Sequence, residues 1–201
     1  MAAKRERITI DEFLTRLEMN VRGFKEKRSR AKVGTFRLTY GAGTGAIADS
    51  IGCTVDEGEE FVRLWADTYP DAYKYRFLME MFMTEHGYLP VVDGRYIWVH
   101  PKDRALPVAA NYPIQGAAAS VMMRAMYHTY EMRNQLSTPD LIRLVSTVHD
   151  EMLLATYEQH IITAKHILEE AMKKAWLDVF PGTSTDNLIE AGHGTTWGDC
   201  K

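Results

Sequence analysis

The chain has 201 residues, 46% of them apolar and 25% charged, with a formal net charge of −3. These proportions exclude disorder as the main state and leave chain enough for one or two compact units with a buried core. No apolar run reaches the roughly 20 residues of a membrane helix, MAAKRERITI lacks the apolar stretch of a secretory leader, and Cys53 and Cys200 alone support neither a disulfide scaffold nor a cysteine zinc site, so a reducing cytoplasm is expected.

In chain order, Asp11–Met19 reads as a short amphipathic helix with Phe13, Leu14 and Leu17 on one side. A second helix is expected from about Lys25 to Tyr40, stopped by Gly41-Ala42-Gly43-Thr44-Gly45. Thr54-x-x-Glu57 is a capping box for a helix over about 55–68. Pro70 opens the next helix, which Gly87 closes. YLPVVDGRYIWVHP then places apolar residues on both sides of Asp93-Gly94, a hairpin pattern. A helix rich in Ala and Met is expected from Gln115 to Gln135, ended by Ser137-Thr138-Pro139. LIRLVSTVHDEMLLATY reads as a second hairpin with His149-Asp150 at its tip. A last helix covers about 158–179, before Pro181-Gly182 and the tail TTWGDCK. The class is α+β: a helical first half, then helices packed on a small antiparallel sheet.

Charge is uneven. Residues 1–40 hold 11 Lys/Arg against 5 Asp/Glu, and the remainder 13 against 22. The basic block over 22–37 suits a polyanion partner, and a solvated helix face has the same composition. Within it, Arg28, Lys32, Phe36 and Tyr40 recur every four residues. Each step rotates about 400° on an α-helix, a drift of only about 40°, so the four share one stripe: cations at one end, aromatics at the other. Cations neutralise phosphate oxygens and rings stack on a base or sugar, which suits a nucleoside triphosphate. A basic surface helix with an aromatic core edge meets the same spacing. Gly34 inside this helix implies a close approach by another backbone or a ligand. His149-Asp150-Glu151 puts carboxylates at a hairpin tip, where one can hold Mg²⁺ or simply charge a turn. Asn111 and Gln115, with Pro113 between them, resemble a helix start presenting two amides to a base edge or sugar, or capping by Asn111. His86, His100, His128, His160, His166 and His193 show no metal-ligand spacing, and surface or half-buried positions are expected for most of them.

Taken together and in order, these segments resemble the C-terminal part of family A DNA polymerases, the bacterial DNA polymerase I and phage replicase group. RSRAKVGTFRLTYG is similar to that family's fingers helix, AANYPIQGAAASVMMRAM to its palm segment with paired Asn and Gln, and TVHDEMLL to its palm metal motif. GYLPVVDGRYIWVHP resembles the hairpin before the palm, and TTWGDCK the aromatic tail. The likeness covers roughly residues 25–201. It implies an N-terminal helical segment over 1–22, a helical fingers subdomain over 23–102 and a partial palm over 103–201. It further implies that Arg28 and Lys32 bind the nucleotide's phosphates, Phe36 lies near the sugar, and Tyr40 and Gly41 lie beside the nascent pair and template. Asn111 and Gln115 would touch the primer-template minor groove. Asp150 would be the metal-binding catalytic carboxylate, with His149 at the primer terminus and Glu151 assisting. Single-subunit RNA polymerases share the fingers pattern but resemble His-Asp-Ser at the palm turn, which favours DNA synthesis here.

The departures carry their own expectation. The family's other catalytic aspartate sits in a D-x-S-x-I-E-L-R type motif before the fingers helix, and nothing before Arg28 fits it. Pro107 stands where the family has a DNA-contacting Arg. A two-metal centre needs carboxylates around both ions. A split, phage-type DNA polymerase is therefore expected, in which a second polypeptide brings the upstream palm motif and thumb, and the two-Mg²⁺ site, deoxynucleoside triphosphates and primer-template DNA are shared, without membrane. A truncated form and a non-catalytic primer-template or nucleotide-binding module remain open beside it.

Overall fold

The computed structural model describes residues 1–200. They form two compact units. The first comprises Met1–Pro90 with Tyr96–Pro113, and the second Val91–Arg95 with the chain from Ile114 onward. The secondary structure is mostly helical with two small antiparallel sheets, the expected α+β class. No helix among the described residues is long and apolar enough to cross a membrane.

In the first unit, α1 (Ala2–Arg5) and α2 (Ile10–Glu18) precede α3 (Phe24–Thr39), the helix carrying the basic-aromatic stripe. Thr9 caps α2 by accepting from the Glu12 N–H. Phe13 and Phe24 pack with Ala3 in a small core. Next come α4 (Thr44–Ile51), α5 (Val55–Thr68) and α6 (Pro70–His86). The expected capping box is present: Thr54 Oγ1 accepts from the Glu57 N–H at 3.3 Å, and a Glu57 carboxylate oxygen accepts from the Thr54 N–H at 2.9 Å. The Thr54 N–H, and after it the Thr54 hydroxyl donating to the same carboxylate oxygen at 3.1 Å, hold the Glu57 carboxyl below its ordinary pKa. Leu38, Ile47, Ile51, Phe61 and Trp65 build the main core of α3, α4 and α5. Gly34 lies over that core, and a Cβ there would stand 2.7 Å from Phe61 Cζ. The close approach is thus a neighbouring helix's side chain, not a ligand.

Gly87, at φ +79°, ends α6. β1 (Tyr88–Pro90) and β2 (Tyr96–Trp98) follow as an antiparallel pair in the register Tyr88↔Trp98, Leu89↔Ile97 and Pro90↔Tyr96. Leu89 and Val99 are buried with Met83 and Ala109.

The largest departure from expectation is α7 (Leu106–Asn134), which begins nine residues before Gln115 and contains Pro113. Proline has no N–H for the carbonyl of Ala109 four residues back. The helix nevertheless continues, because Ala109 and Ala110 are fully buried and their packing outweighs the lost bond. In the second unit, β3 (Ile142–Val148) and β4 (Glu151–Thr156) form the second hairpin, and α8 (Ile161–Val179) completes it. Leu144 pairs with Leu154 and Ser146 with Leu153, so Val145 is bulged out. Val121, Met122 and Ala125 of α7 pack on Met152 of β4 and on Ala175 and Val179 of α8. Ile142, Ala164 and Ile167 form a second cluster.

Candidate functional site

In the first unit the stripe exists as a solvent-facing surface. Arg28 and Lys32 are exposed, and neither makes an ion pair among the described residues. Phe36 and Tyr40 are 50% and 42% exposed, and their rings lie nearly parallel, with centroids 6.2 Å apart. Lys32 Nζ stands 5.8 Å from the Phe36 ring centroid, within cation–π range. Ser29, Lys32, Val33, Phe36, Arg37 and Tyr40 line a shallow open concavity along the helix.

Two devices hold the aromatic end of α3 in place. The first is its C-terminus. The Ala42 N–H donates to the Arg37 carbonyl and the Gly41 N–H to the Leu38 carbonyl, a Schellman termination with Gly41 at φ +80°. A Cβ on Gly41 would meet the backbone of Pro107 at 2.9 Å, so α3 ends directly against the start of α7. The second device is Arg76 of α6, only 5% exposed. Its Nη1 donates to the Leu38 carbonyl at 2.5 Å. Its guanidinium lies 5.1–5.3 Å from the ring centroids of Trp65, Tyr73 and Phe77. Burial pushes this guanidinium below its ordinary pKa. The sequence reading missed Arg76. The clue available was an Arg flanked by Tyr73, Tyr75 and Phe77.

In the second unit His149 and Asp150 form the turn of the β3–β4 hairpin, and Glu151 opens β4. His149 adopts φ +55°, a region His enters more readily than most residues but at a cost. His149, Asp150 and Glu151 are all exposed. Trp197 Nε1 donates to Glu151 Oε2 at 3.1 Å, so the C-terminal tail reaches the tip. Asp199 holds the tail's turn by accepting from the Thr196 N–H at 2.9 Å and from the hydroxyls of Thr196 and Thr195 at 2.7 and 3.0 Å. These bonds, the Thr196 hydroxyl first, keep its carboxyl below the usual value. Asp150 and Glu151 border a cleft of about 680 Å³ between β4, α8 and this tail.

Asn111 is half-buried and belongs to the first unit, whereas Gln115 is exposed and belongs to the second. Both lie on α7. The stripe of α3 and the tip at Asp150 likewise belong to different units. Among the described residues no group of three or more His, Cys, Asp or Glu could hold a metal ion. Asp150 offers one exposed oxygen donor of the type Mg²⁺ takes, which fits one side of such a site.

Two polar networks of the second unit were not foreseen. Ser120 Oγ of α7 donates to Asp93 Oδ2 at 2.6 Å, and Arg95 Nε donates to the same oxygen at 2.8 Å. Arg95 Nη2 also donates to the Gly116 carbonyl at 3.0 Å. His128, one of six histidines of which most were expected at surface or half-buried positions, is buried between α7 and α8 with Nε2 2.6 Å from Asp178 Oδ2.

The family model for DNA polymerase family A matches residues 14–199. DNA polymerase I of Rhizobium leguminosarum is 27% identical over 180 residues, covering 86% of this chain and 18% of that protein. DNA polymerase I of Pseudomonas aeruginosa is 29% identical over 182 residues, covering 86% and 19%. The thermostable DNA polymerase I of Thermus filiformis is 28% identical over 186 residues, covering 87% and 21%. The chain therefore spans about a fifth of the length of these curated relatives. Among solved structures, the POL domain of Pol1 from M. smegmatis, in complex with DNA primer-template and dNTP, matches with a TM-score of 0.70 at 23% identity. That match covers 87% of this chain and 30% of the other, and it shows a shared fold.

Proposed function

This chain belongs to DNA polymerase family A, and on that footing we propose that it supplies the fingers and the C-terminal part of the palm of a template-directed DNA polymerase. Residues 1–22 are then an N-terminal helical segment, 23–102 the fingers and 103–201 palm. The observation that carries this reading is the α3 stripe: two exposed cations that make no ion pair among the described residues and two stacked, half-exposed rings, held at one end by Gly41 and Arg76.

In this reading Arg28 and Lys32 neutralise the triphosphate of an incoming deoxynucleotide. Phe36 packs against its sugar, and Tyr40 and Gly41 border the nascent pair and template. Asn111 and Gln115 contact the primer-template minor groove. The primer 3′-hydroxyl attacks the α-phosphorus, its proton leaves, and the bond to pyrophosphate breaks. His149 lies by the primer terminus. Asp150 would hold Mg²⁺, with Glu151 assisting. When bound, Mg²⁺ supplies a lowered hydroxyl pKa and charge neutralisation at the pyrophosphate. The remaining carboxylate comes from polypeptide outside these residues. We place it on a second chain, which also brings the thumb, as in a split, phage-type enzyme. Cys53 and Cys200 are free thiols, in keeping with a reducing cytoplasm.

The absence of any three-residue metal-ligand group among the described residues favours a second reading, a module that binds primer-template or nucleotide without catalysis. Primer extension separates the two. The chain is mixed with a polypeptide bearing the upstream palm motif, Mg²⁺, dNTPs and labelled primer-template. Asp150→Ala is expected to lower extension by at least about a hundred-fold, and Lys32→Ala to raise the apparent KM for dNTP. Undiminished extension by Asp150→Ala rejects the catalytic role. Nucleotide binding without extension in any mixture supports the module.

A further inference from the structure

The junction between α6 and the β1–β2 hairpin carries five clustered rings that the proposed chemistry does not use. Strand alternation puts Tyr88, Pro90, Tyr96 and Trp98 on one face, since Tyr88 pairs with Trp98 and Pro90 with Tyr96. Leu89 is buried on the other face. The turn at Gly87 brings Phe82 and His86 of the last helical turn beside Tyr88. Tyr88 is the hub. Its ring centroid lies 5.5 Å from Phe82, 5.8 Å from His86, 4.8 Å from Tyr96 and 5.2 Å from Trp98, all edge to face. Phe82 and His86 are parallel at 4.2 Å. The hub thus fixes the rings from within, while Tyr96 and Trp98 stay 60% and 75% exposed.

A cluster of large exposed rings marks a contact surface. Its chemistry points to bases, because every base offers a flat π-face and aromatic platforms bind single strands with little sequence preference. A cation stands beside it for the backbone. Arg104 Nε donates to the Val99 carbonyl at 3.4 Å, and Arg104 Nη2 lies 2.6 Å from where a Cβ on Gly87 would stand. His100 and the exposed Lys102 follow Trp98 in the chain, and Glu85 and Asp103 are the nearby acids in sequence. We propose that this face is a stacking platform for single-stranded nucleic acid. Resting on the polymerase reading, that strand is the unpaired template. A protein partner would instead take in the exposed aliphatic side chains of Leu78 and Met81 on α6.

The test is fluorescence anisotropy at low salt with the 201-residue chain. The probes are a labelled mixed-sequence single-stranded oligodeoxynucleotide and an abasic oligomer of the same length. The parent is expected to bind the base-bearing strand more tightly than the abasic one. Trp98→Ala and Tyr96→Ala should each weaken base-bearing binding by about ten-fold and leave the abasic affinity unchanged. Trp98→Phe should retain most of it, and Leu78→Ser all of it. Both ring positions are exposed, so circular dichroism should show an unchanged fold. Equal affinity of the parent and Trp98→Ala, or equal binding of the two oligomers by the parent, overturns the platform and leaves the face to a protein partner. Lys32→Ala tests the α3 reading separately: it should weaken binding of a labelled dNTP while Trp98-dependent stacking persists.

Discussion

Two glycines show how single residues position the candidate nucleotide helix. Gly34 and Gly41 both permit close approach, but against different neighbours. A methyl at Gly34 meets the far end of Phe61, a side chain with limited room to shift. A methyl at Gly41 meets the backbone of Pro107 and also sits at φ +80°. Overpacking costs about 1–3 kcal/mol, and a left-handed conformation adds about 1–2 kcal/mol for a residue with a Cβ. In mid-helix, replacing Gly returns about 1 kcal/mol of propensity. Gly41→Ala should therefore lose about 2–5 kcal/mol in urea unfolding and Gly34→Ala about 0–2 kcal/mol. The reverse order would show that the Schellman end of α3 is not what fixes Tyr40. Arg76 acts at the same scale, because a buried charge stays tolerable only while the Leu38 carbonyl and three rings surround it.

Between elements, the polar ties of the second unit join segments that share no sequence pattern. Asp93 and Arg95, from the turn between β1 and β2, are tied to α7 through Ser120. The Ser120 hydroxyl, followed by the backbone and side chain of Arg95, holds the Asp93 carboxyl below its ordinary 3.8. A carboxyl whose folded pKa is depressed contributes stability above its unfolded value and loses it as pH falls through the folded value. Ser120→Ala should therefore be less stable than the parent at neutral pH, with the gap closing as pH drops below the ordinary carboxylate range. Urea unfolding across that range checks this. A gap that stays constant into acid would assign the loss to packing at Ser120. The β3–β4 tip is a different device, in which a turn with His149 at φ +55° sets Asp150 and Glu151 out in solvent and the tail's Trp197 reaches Glu151.

At the scale of the whole molecule, two units carry separate interiors. Phe61 belongs to the core of α3, α4 and α5, and Met152 to that of α7, β4 and α8. Truncating either should cost about 2–5 kcal/mol. The clusters share no member, so the losses in Phe61→Ala and Met152→Ala should add to within about 0.5 kcal/mol in the double variant. An interaction energy well above that in the double-mutant cycle would show energetic coupling between the units. The two candidate site halves follow the same division: the α3 stripe belongs to one unit and the Asp150 tip to the other.

Most element boundaries were legible in the residues because their causes are local. The Thr54–Glu57 box, Pro70 with Gly87, and Asp93-Gly94 each act within a few positions, and the four-residue recurrence from Arg28 to Tyr40 needs only helical geometry to become a surface stripe. The order of the motifs alone pointed to the family. Pro113 was misread as a helix start because its local preference is real, and only the burial of Ala109 and Ala110 overrides it. Arg76 with Leu38, Ser120 with Asp93, Trp197 with Glu151 and His128 with Asp178 are 38, 27, 46 and 50 positions apart. No periodicity or spacing rule spans such separations. Those pairs come into being only when packed helices and strands bring their side chains together.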